Sequence, residues 1–405
     1  MLIEIHAIQN HSPSNLNRDD LGAPKTCYFG GVMRSRISSQ CIKRSIRTSD
    51  QFKALLGGVA TRRLAQLIAA NGPSSEFDRA MRVLKICGIA PKEKKSGGVD
   101  DDLKDDKSAG RVYTSWQAIH GMSALLKDGG KTDKALAAEF AKLIAQHTAV
   151  PDMALCGRML EPKKSKKSKS GAANEPKDEG GEKSQDKGVW KGLDLTVEAA
   201  LQVAHAISTH EARPEVDYFV AADDIPGDDA GAAYVDETMF ASACFYKYFS
   251  IDWDALVINL RDNRELSAHT VGAFLRGAAL ANPTGKQNSF AAHNPPDGML
   301  VEIKQTPISY ANAFANPVPC KGPRDMVCQS IAQLGQYVHD LDVGYGKPDK
   351  RFWFSPNLRH PLTAIDDNQE IALANHNLKS LDELVVEVVR AVGFDWAQVQ
   401  AVTVK

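Results

Sequence analysis

Residues 2–8, Leu-Ile-Glu-Ile-His-Ala-Ile, place Ile3, Ile5 and Ala7 on one face and Glu4 and His6 on the other. A period of two predicts a half-buried β-strand. A polar loop follows from Pro13 to Pro24. Residues 38–48 then take a helical spacing, with Ser38 as N-cap because its hydroxyl can accept an open backbone N–H of the first turn. The spacing stays helical from Gln51 to about Val150, as in Leu55, Leu64, Leu67 and Ile68, and later in Phe140, Leu143 and Ile144. Pro91-Lys-Glu-Lys-Lys-Ser-Gly-Gly and Asp100-Asp-Asp interrupt it as a solvated loop. Between 196 and 210, Val197, Ala200, Leu201, Val203, Ala204 and Ile207 form a stripe that predicts an amphipathic helix. Strands are expected at 216–221, 241–250 and 300–304, with a turn around Pro226-Gly227-Asp228. Ser380-Leu-Asp-Glu383 reads as a capping box opening a helix that Gly393 ends. No internal repeat is present. The reading is α+β: scattered strands with a large helical insertion.

Residues 161–189 break every pattern. They are rich in lysine, acids, Gly and Ser and nearly devoid of aliphatic side chains, so they cannot offset the entropy of their own ordering. We expect a disordered polyampholyte. The remaining composition is globular, with 43% hydrophobic residues and 405 residues in all, enough for one large domain or two to three ordinary ones. No apolar run is long enough to span a bilayer, and the segment MLIEIHAIQNH lacks a secretory core. Seven cysteines with no CxxC pair point to reduced thiols and a cytoplasmic location. A net charge of −1 means that any nucleic-acid surface must be local.

Such a surface is visible. Between Leu21 and Ser49 lie six basic residues, Lys25, Arg34, Arg36, Lys43, Arg44 and Arg47, and no acid. On the expected helix Gln40, Lys43, Arg44 and Arg47 share an arc of roughly 100°, opposite Ile42 and Ile46. Ser38, Ser39 and Gln40 add neutral donors at the end where free N–H groups attract phosphate. A solvated basic face is the competing explanation. Phe245-Tyr-Lys-Tyr-Phe249 has the composition of a base-stacking platform, but core packing on one face accounts for it better. Lys286, after Pro283-Thr-Gly, sits on an expected turn. His205 and His210 would separate on a helix, which argues against a metal pair. HExxH, GxSxG and GxxxxGK[ST] are absent. Asp19 and Asp20 could hold a divalent ion, although a turn-capping role beside Arg18 fits them better.

The motifs converge on one family. His11-Ser-Pro-Ser14, Leu16-Asn-Arg-Asp-Asp20, Phe29-Gly-Gly31, Arg36-Ile-Ser-Ser-Gln40 and Lys43-Arg44 resemble the start of the CasC family, the repeating backbone subunit of type I-E CRISPR Cascade. The similarity resumes at Ala154-Leu-Cys-Gly-Arg-Met159, Ala204–His210, Asp217–Asp224, Phe245–Tyr248, Gly285-Lys-Gln287, Ala292–Pro295 and Ala311–Phe314.

That resemblance implies a modified RRM-like (ferredoxin-like) palm from 1–50 and 195–405. It also implies a helical fingers insertion at 51–150 and a β-hairpin thumb near 211–241. It implies no enzyme, cofactor or metal. The partners it implies are guide CRISPR RNA, target DNA through the guide, and the chain itself in several copies, typically six. The large subunit, the small subunit and the RNA-end-capping subunits complete that set. On the matching positions Arg18, Lys25, Ser38, Gln40 and Lys43 would hold the RNA backbone, and Met159 would pack on bases beside a kink. Phe219 and Val220 would wedge into the kink, and Lys286 would approach phosphate. Arg44 and Arg47 join the set from helix geometry alone. The other class of function is a metal-dependent ribonuclease using Asp19 or Asp20.

The charged run is longer than the family pattern leads one to expect. Deleting residues 163–187 should leave the melting temperature and RNA-dependent assembly almost intact, as read by thermal denaturation and sedimentation. A large loss of assembly would show that these lysines contact nucleic acid or a partner.

Overall fold

The structure, a computed structural model, describes residues 1–70, 72–89, 111–128, 130–162, 188–221, 234–319, 325–374 and 377–402. The expected loop after Pro91, most of the lysine-rich run and the turn at 226–228 lie outside the described residues. The chain divides into two compact units, one of Met1–Leu56 with Ala200–Lys405, the other of Gly57–Ala199.

The first unit begins with β1 (Leu2–Ser14), the hairpin β2 (Thr26–Phe29) and β3 (Val32–Ile37), α1 (Ser39–Arg47) and a helical turn α2 (Asp50–Lys53). The second unit then pairs β4 (Gly58–Thr61) with β5 (Val112–Ser115) around α3 (Leu64–Ile68) and α4 (Ser74–Ile86). It continues through α5 (Trp116–Lys127), α6 (Asp133–Gln146) and α7 (Pro151–Cys156), and ends on β6 (Arg158–Met159) paired with β7 (Thr196–Val197). The helical spacing read from the chain here is the core itself: Leu64, Ile68, Val83, Leu84, Ile119, Met122, Phe140 and Ile144 are all buried together. Trp190 seals it, its indole N–H donating to the Cys87 carbonyl at 2.8 Å.

Returning to the first unit, three short strands, β8 (Leu201–Val203), β9 (Ala206–Ser208) and β10 (Glu215–Ala221), precede β11 (Tyr234–Asp252). Next come α8 (Trp253–Asn259), α9 (Arg264–Leu280), α10 (Gln287–Phe290), β12 (Gly298–Lys304) and α11 (Met326–Tyr345). The unit closes with β13 (Lys350–Phe354), the hairpin β14 (Thr363–Asp366) and β15 (Gln369–Ala372), β16 (Asn377–Leu378), α12 (Leu381–Ala391) and α13 (Trp396–Val399). One ten-stranded sheet runs in the order β16-β13-β12-β1-β11-β9-β3-β2, with β8 and β10 also pairing β11. Ser380 caps α12 by accepting from the Glu383 N–H at 3.1 Å, and Gly393 follows its end at φ +95°.

Two expectations need correction. Residues 196–210 are not a helix. Their apolar positions serve instead as strand positions, because β11 offers an open backbone edge: Val203 pairs with Phe249, and Ile207 with Tyr246. Nor is β1 half-buried. It lies between β11 and β12, and both of its faces are covered. Phe249 opposite Ile5 meets Phe274 of α9 on one side, while Tyr310, Phe314, Leu334 and Val338 fill the other. The aromatic run is likewise core, with Phe245, Tyr246 and Phe249 buried, so it offers no stacking platform.

Several charged residues buried by this arrangement pair with one another. Glu4 and Glu302 face each other across β1 and β12. Lys304 Nζ bridges them at 3.0 and 2.5 Å, and Arg351 joins Glu302 at 2.6 Å and Asp342 at 2.7 Å. Glu4, His6 and Glu302 lie close enough to hold a metal ion, but the Lys304 ammonium already occupies that cationic seat. Breaking one partner of such a cluster strands a buried charge, typically costing about 3–5 kcal/mol.

The cluster also sets the acid response. Burial pushes the His6 imidazole from 6.5 down to about 3, so it is neutral in the fold. Burial works to raise the Glu302 carboxyl, but Arg351 and Lys304 outweigh it and hold the group at about 2. Below pH 6.5 the unfolded chain protonates His6 while the fold does not, and below 4.5 the same holds for Glu302. Stability should therefore fall steadily as pH drops from about 6.5 toward 3. A His6→Gln variant should lose less between pH 6.5 and 4.5, with buried His11 keeping part of the slope. Melting curves at stepped pH check this; an unchanged slope in the variant would contradict it.

Candidate nucleic-acid interface

The site grows from α1. Ser38 accepts the Cys41 N–H at 3.3 Å, as its N-cap position requires, so its hydroxyl is already engaged in holding the helix start. Ile42 and Ile46 are buried toward α9, where Gly277 leaves room: a Cβ there would stand 2.9 Å from Ile46. The opposite face turns outward, with Gln40 and Arg44 exposed and Lys43 and Arg47 half-buried. No acid lies in the first turn.

Beside α1 runs an open groove of about 600 Å³, lined by Arg18, Asp19, Asp20, Cys41, Arg44 and the Thr284-Gly285 backbone among others. Its loop is pinned to the helix. Asn17 Oδ1 accepts the Ser38 N–H at 2.8 Å, and the Asn17 carbonyl accepts the Lys25 N–H at 2.9 Å. Asp19 Oδ1 accepts from the N–H groups of Leu21 and Ala23, both at 2.9 Å, the turn-capping role weighed from sequence. Gly285 closes the far wall; any Cβ would collide with the Leu16 carbonyl at 2.5 Å.

At the helix N-terminus Arg36 and His205 add to Lys25. His205 Nδ1 lies 3.2 Å from Arg36 Nη1 and 3.4 Å from the Ser39 N–H. Burial first, then the charges of Arg36 and Lys25, push its imidazole down, and with the Arg36 and Ser39 N–H groups both at Nδ1 that nitrogen serves as the acceptor. Neither residue was singled out as a contact. Both lie inside motifs that could have flagged them, Arg36-Ile-Ser-Ser-Gln40 and Ala204–His210, but the strand pairing that brings His205 to α1 has no local signature.

Lys286 adopts a left-handed backbone at φ +49°, and its Nζ donates to Thr238 Oγ1 at 2.6 Å, tying its loop to the β10–β11 hairpin. In that hairpin Phe219 stands opposite Asp236 and Val220 opposite Val235, so the two project from opposite faces. Phe219 shares the face of Thr238, and hence of Lys286; Val220 belongs with Val216, Tyr218 and Met239, an exposed apolar face. Sequence reasoning that treated Phe219 and Val220 as one wedge missed this split. Met159 belongs to the other unit, where it is 74% exposed beside buried Arg158, which donates to the Ile144 carbonyl at 2.7 Å. Gly157 before it sits at φ +75°, and a Cβ there would meet the Val197 carbonyl at 2.8 Å.

A buried phenylalanine costs about 3–5 kcal/mol when truncated. Phe219 is 39% exposed, so Phe219→Ala should lower the melting temperature of the free protein far less than such a core truncation does. Differential scanning calorimetry decides, with buried Phe274→Ala as the core reference. Equal losses in the two variants would assign Phe219 to the core.

No curated protein sequence matches the chain. Over 97% of its length it is similar to a chain of a solved "CRISPR RNA-guided surveillance complex, pre-nicking", covering all of that chain at 25% identity and a TM-score of 0.75. A second such complex matches in fold over 96% of the chain, with 23% identity and a TM-score of 0.55. The CT1975-like protein family matches residues 3–174 and 189–387, and the one internal gap falls inside the lysine-rich run. With nearly its whole length matched, the chain belongs to the CT1975-like protein family, the CasC-type family whose motifs it carries.

Proposed function

We propose that this chain is a non-catalytic, RNA-binding backbone subunit of a type I-E Cascade complex. It polymerises along guide CRISPR RNA and kinks it at regular intervals, leaving short segments free to pair with target DNA in antiviral defence. The carrying observation is the acid-free basic face of α1 beside a groove flanked by Arg18 and Arg44, in a chain similar end to end to a subunit of an RNA-guided complex. Contacts of this kind go to phosphates and not to base edges, so the protein fixes register while pairing reads sequence.

In this reading the ten-stranded unit is the palm, residues 57–199 are the fingers and the β10–β11 hairpin is the thumb. Arg18, Lys25, Gln40, Lys43, Arg44 and Arg47 track the RNA backbone, with Ser38 shaping the helix end and Lys286 entering from the hairpin side. Phe219 and Met159 meet bases. Its partners are further copies of itself, the guide, and the other Cascade subunits, in the cytoplasm. Among the described residues no helix is long and apolar enough to cross a membrane.

In the alternative, a metal-dependent ribonuclease using Asp19 or Asp20, Asp19 is the less available of the two, since its Oδ1 accepts two backbone N–H groups of its own turn. Incubating the assembled complex with Mg²⁺ and complementary RNA separates the two: the scaffold leaves the RNA whole, while a nuclease yields evenly spaced fragments. For binding, Lys43→Ala should weaken two unrelated guides alike and reduce the salt slope by about 0.7 per lost phosphate contact. Titrations across a salt series measure both. A loss confined to one guide would mean base readout by α1.

A further inference from the structure

The loop between α9 and β12 is bent in a way its residues do not favour. α10 is a single four-residue turn, and the residues flanking it, Lys286 and Ala291, hold left-handed backbones at φ +49° and +47°. Neither is a glycine, the residue that enters that region without steric cost. Such a conformation persists only where the surroundings impose it. Here they do. Gln287 Nε2 donates to the carbonyls of Pro283 at 2.9 Å and Ala292 at 3.3 Å, stapling the two ends of the turn, and Ala292 is fully buried. Gly285 approaches the Asn15 and Leu16 carbonyls so closely that a Cβ would stand 2.8 and 2.5 Å from them.

What the bend achieves is a double grip on one face of the β10–β11 hairpin. Lys286 Nζ reaches Thr238 Oγ1 at 2.6 Å. The Phe290 ring lies 5.6 Å from that of Phe240, tilted by 40°, within the range of a favourable aromatic pair. The Phe290 N–H donates to the Lys286 carbonyl at 3.1 Å, so both grips belong to one turn. In the hairpin Phe240 pairs with Glu215, Thr238 with Asp217 and Asp236 with Phe219. Residues two apart share a face, so Phe240, Thr238 and Phe219 lie on the same side, in that order from the root outward. Phe219 stands one same-face pair, about 7 Å, beyond the Thr238 grip. Phe290, Phe240 and Thr238 are only half-buried, so the grip lies on the surface of the hairpin root and not in the core of the sheet.

We propose that the 286–291 turn is a bracket that aims Phe219, with Phe290 and Thr238 as its positioning residues. A two-stranded ribbon beyond the edge of a sheet is marginally stable and twists more than a wide sheet does, so its direction has to be set from outside. The bracket sets it from the side that carries Phe219, through one aromatic pair and one hydrogen bond. Phe290 and Thr238 act through the hairpin, and Phe219 meets the bases. The inference rests on the proposed kinking of RNA and extends it to residues outside the basic face and the wedge. It also accounts for the left-handed residues: a relaxed turn would not present Lys286 and Phe290 to the same strand.

The test uses the full-length chain as wild type, Phe290→Ala, Phe290→Leu, Thr238→Val and Thr238→Ser, alone and assembled on two guide RNAs of unrelated sequence. Without RNA, amide hydrogen exchange in the hairpin should quicken about two- to tenfold in Phe290→Ala and Thr238→Val, the scale of one aromatic pair or hydrogen bond. Exchange in β1 and β12 should stay at the wild-type rate. With RNA, both variants should bind the two guides as wild type does. Chemical probing should show the contrast between hyper-reactive and protected bases reduced about two- to tenfold. Phe290→Leu keeps apolar bulk and Thr238→Ser keeps the hydroxyl, so both should stay close to wild type. If Phe290→Ala and Thr238→Val probe like wild type, the bracket is wrong and the kinking role stands. If wild type itself shows no evenly spaced reactive bases, the kinking role fails and the bracket with it. If the two variants lose melting temperature and RNA affinity together, or fail to fold, Phe290 and Thr238 are structural residues and the bracket is overturned.

Discussion

From Leu2 opposite Asp252 to His11 opposite Ala243, β1 runs antiparallel to β11, and the rest of the larger unit hangs on that register. On β1's other edge β12 continues the sheet, and on β11's other edge β8, β9 and β10 dock in succession. A one-residue slip would exchange the two faces of both strands. It would bring Glu4 and His6 under α9 and strip the ionic cluster of its partners. The hydrophobic effect drives the burial, but the buried charges specify which burial is allowed.

The same strand carries structure into function. β11 is core where it passes Phe245, Tyr246 and Phe249, and solvent-exposed where it pairs with Glu215–Ala221. The hairpin arm is the continuation of a buried strand and is anchored at its root by the core. Under the proposed function, that root would support side chains entering a stack of bases, where unstacking costs a few kcal/mol. Lys286 reaching Thr238 braces the arm from the loop that walls the groove. In the proposed function, phosphate track and wedge would share one mechanical frame.

Much of this was legible in the chain because the signals were local. Alternation marked β1, Ser38 announced the start of α1, and the opposition of Ile42 and Ile46 to Arg44 fixed which side of that helix faces outward. The failures came where distant partners decide. Residues 196–210 satisfy a helical stripe as well as strand positions, and only the open edge of β11 selects the second. Nothing local marks Glu4, Glu302, Lys304, Asp342 and Arg351 as a buried cluster; their neutralisation exists only once β1, β12, α11 and β13 are side by side. Arg36 and His205 meet at the start of α1 across a strand pairing. The preference for core over a stacking platform at Phe245–Phe249 holds, and the pairing of Lys247 opposite Ala7 puts the lysine inside as well.

Chemical probing of the RNA bound to the assembled protein, nucleotide by nucleotide, tests the central claim most directly. A backbone that holds phosphates and kinks the strand with one hairpin per copy should leave single bases hyper-reactive at one constant spacing, between protected segments, whatever the guide sequence. Phe219→Ala should flatten that pattern while the RNA stays bound. Uniform protection, or reactive positions that move with the guide sequence, would contradict it.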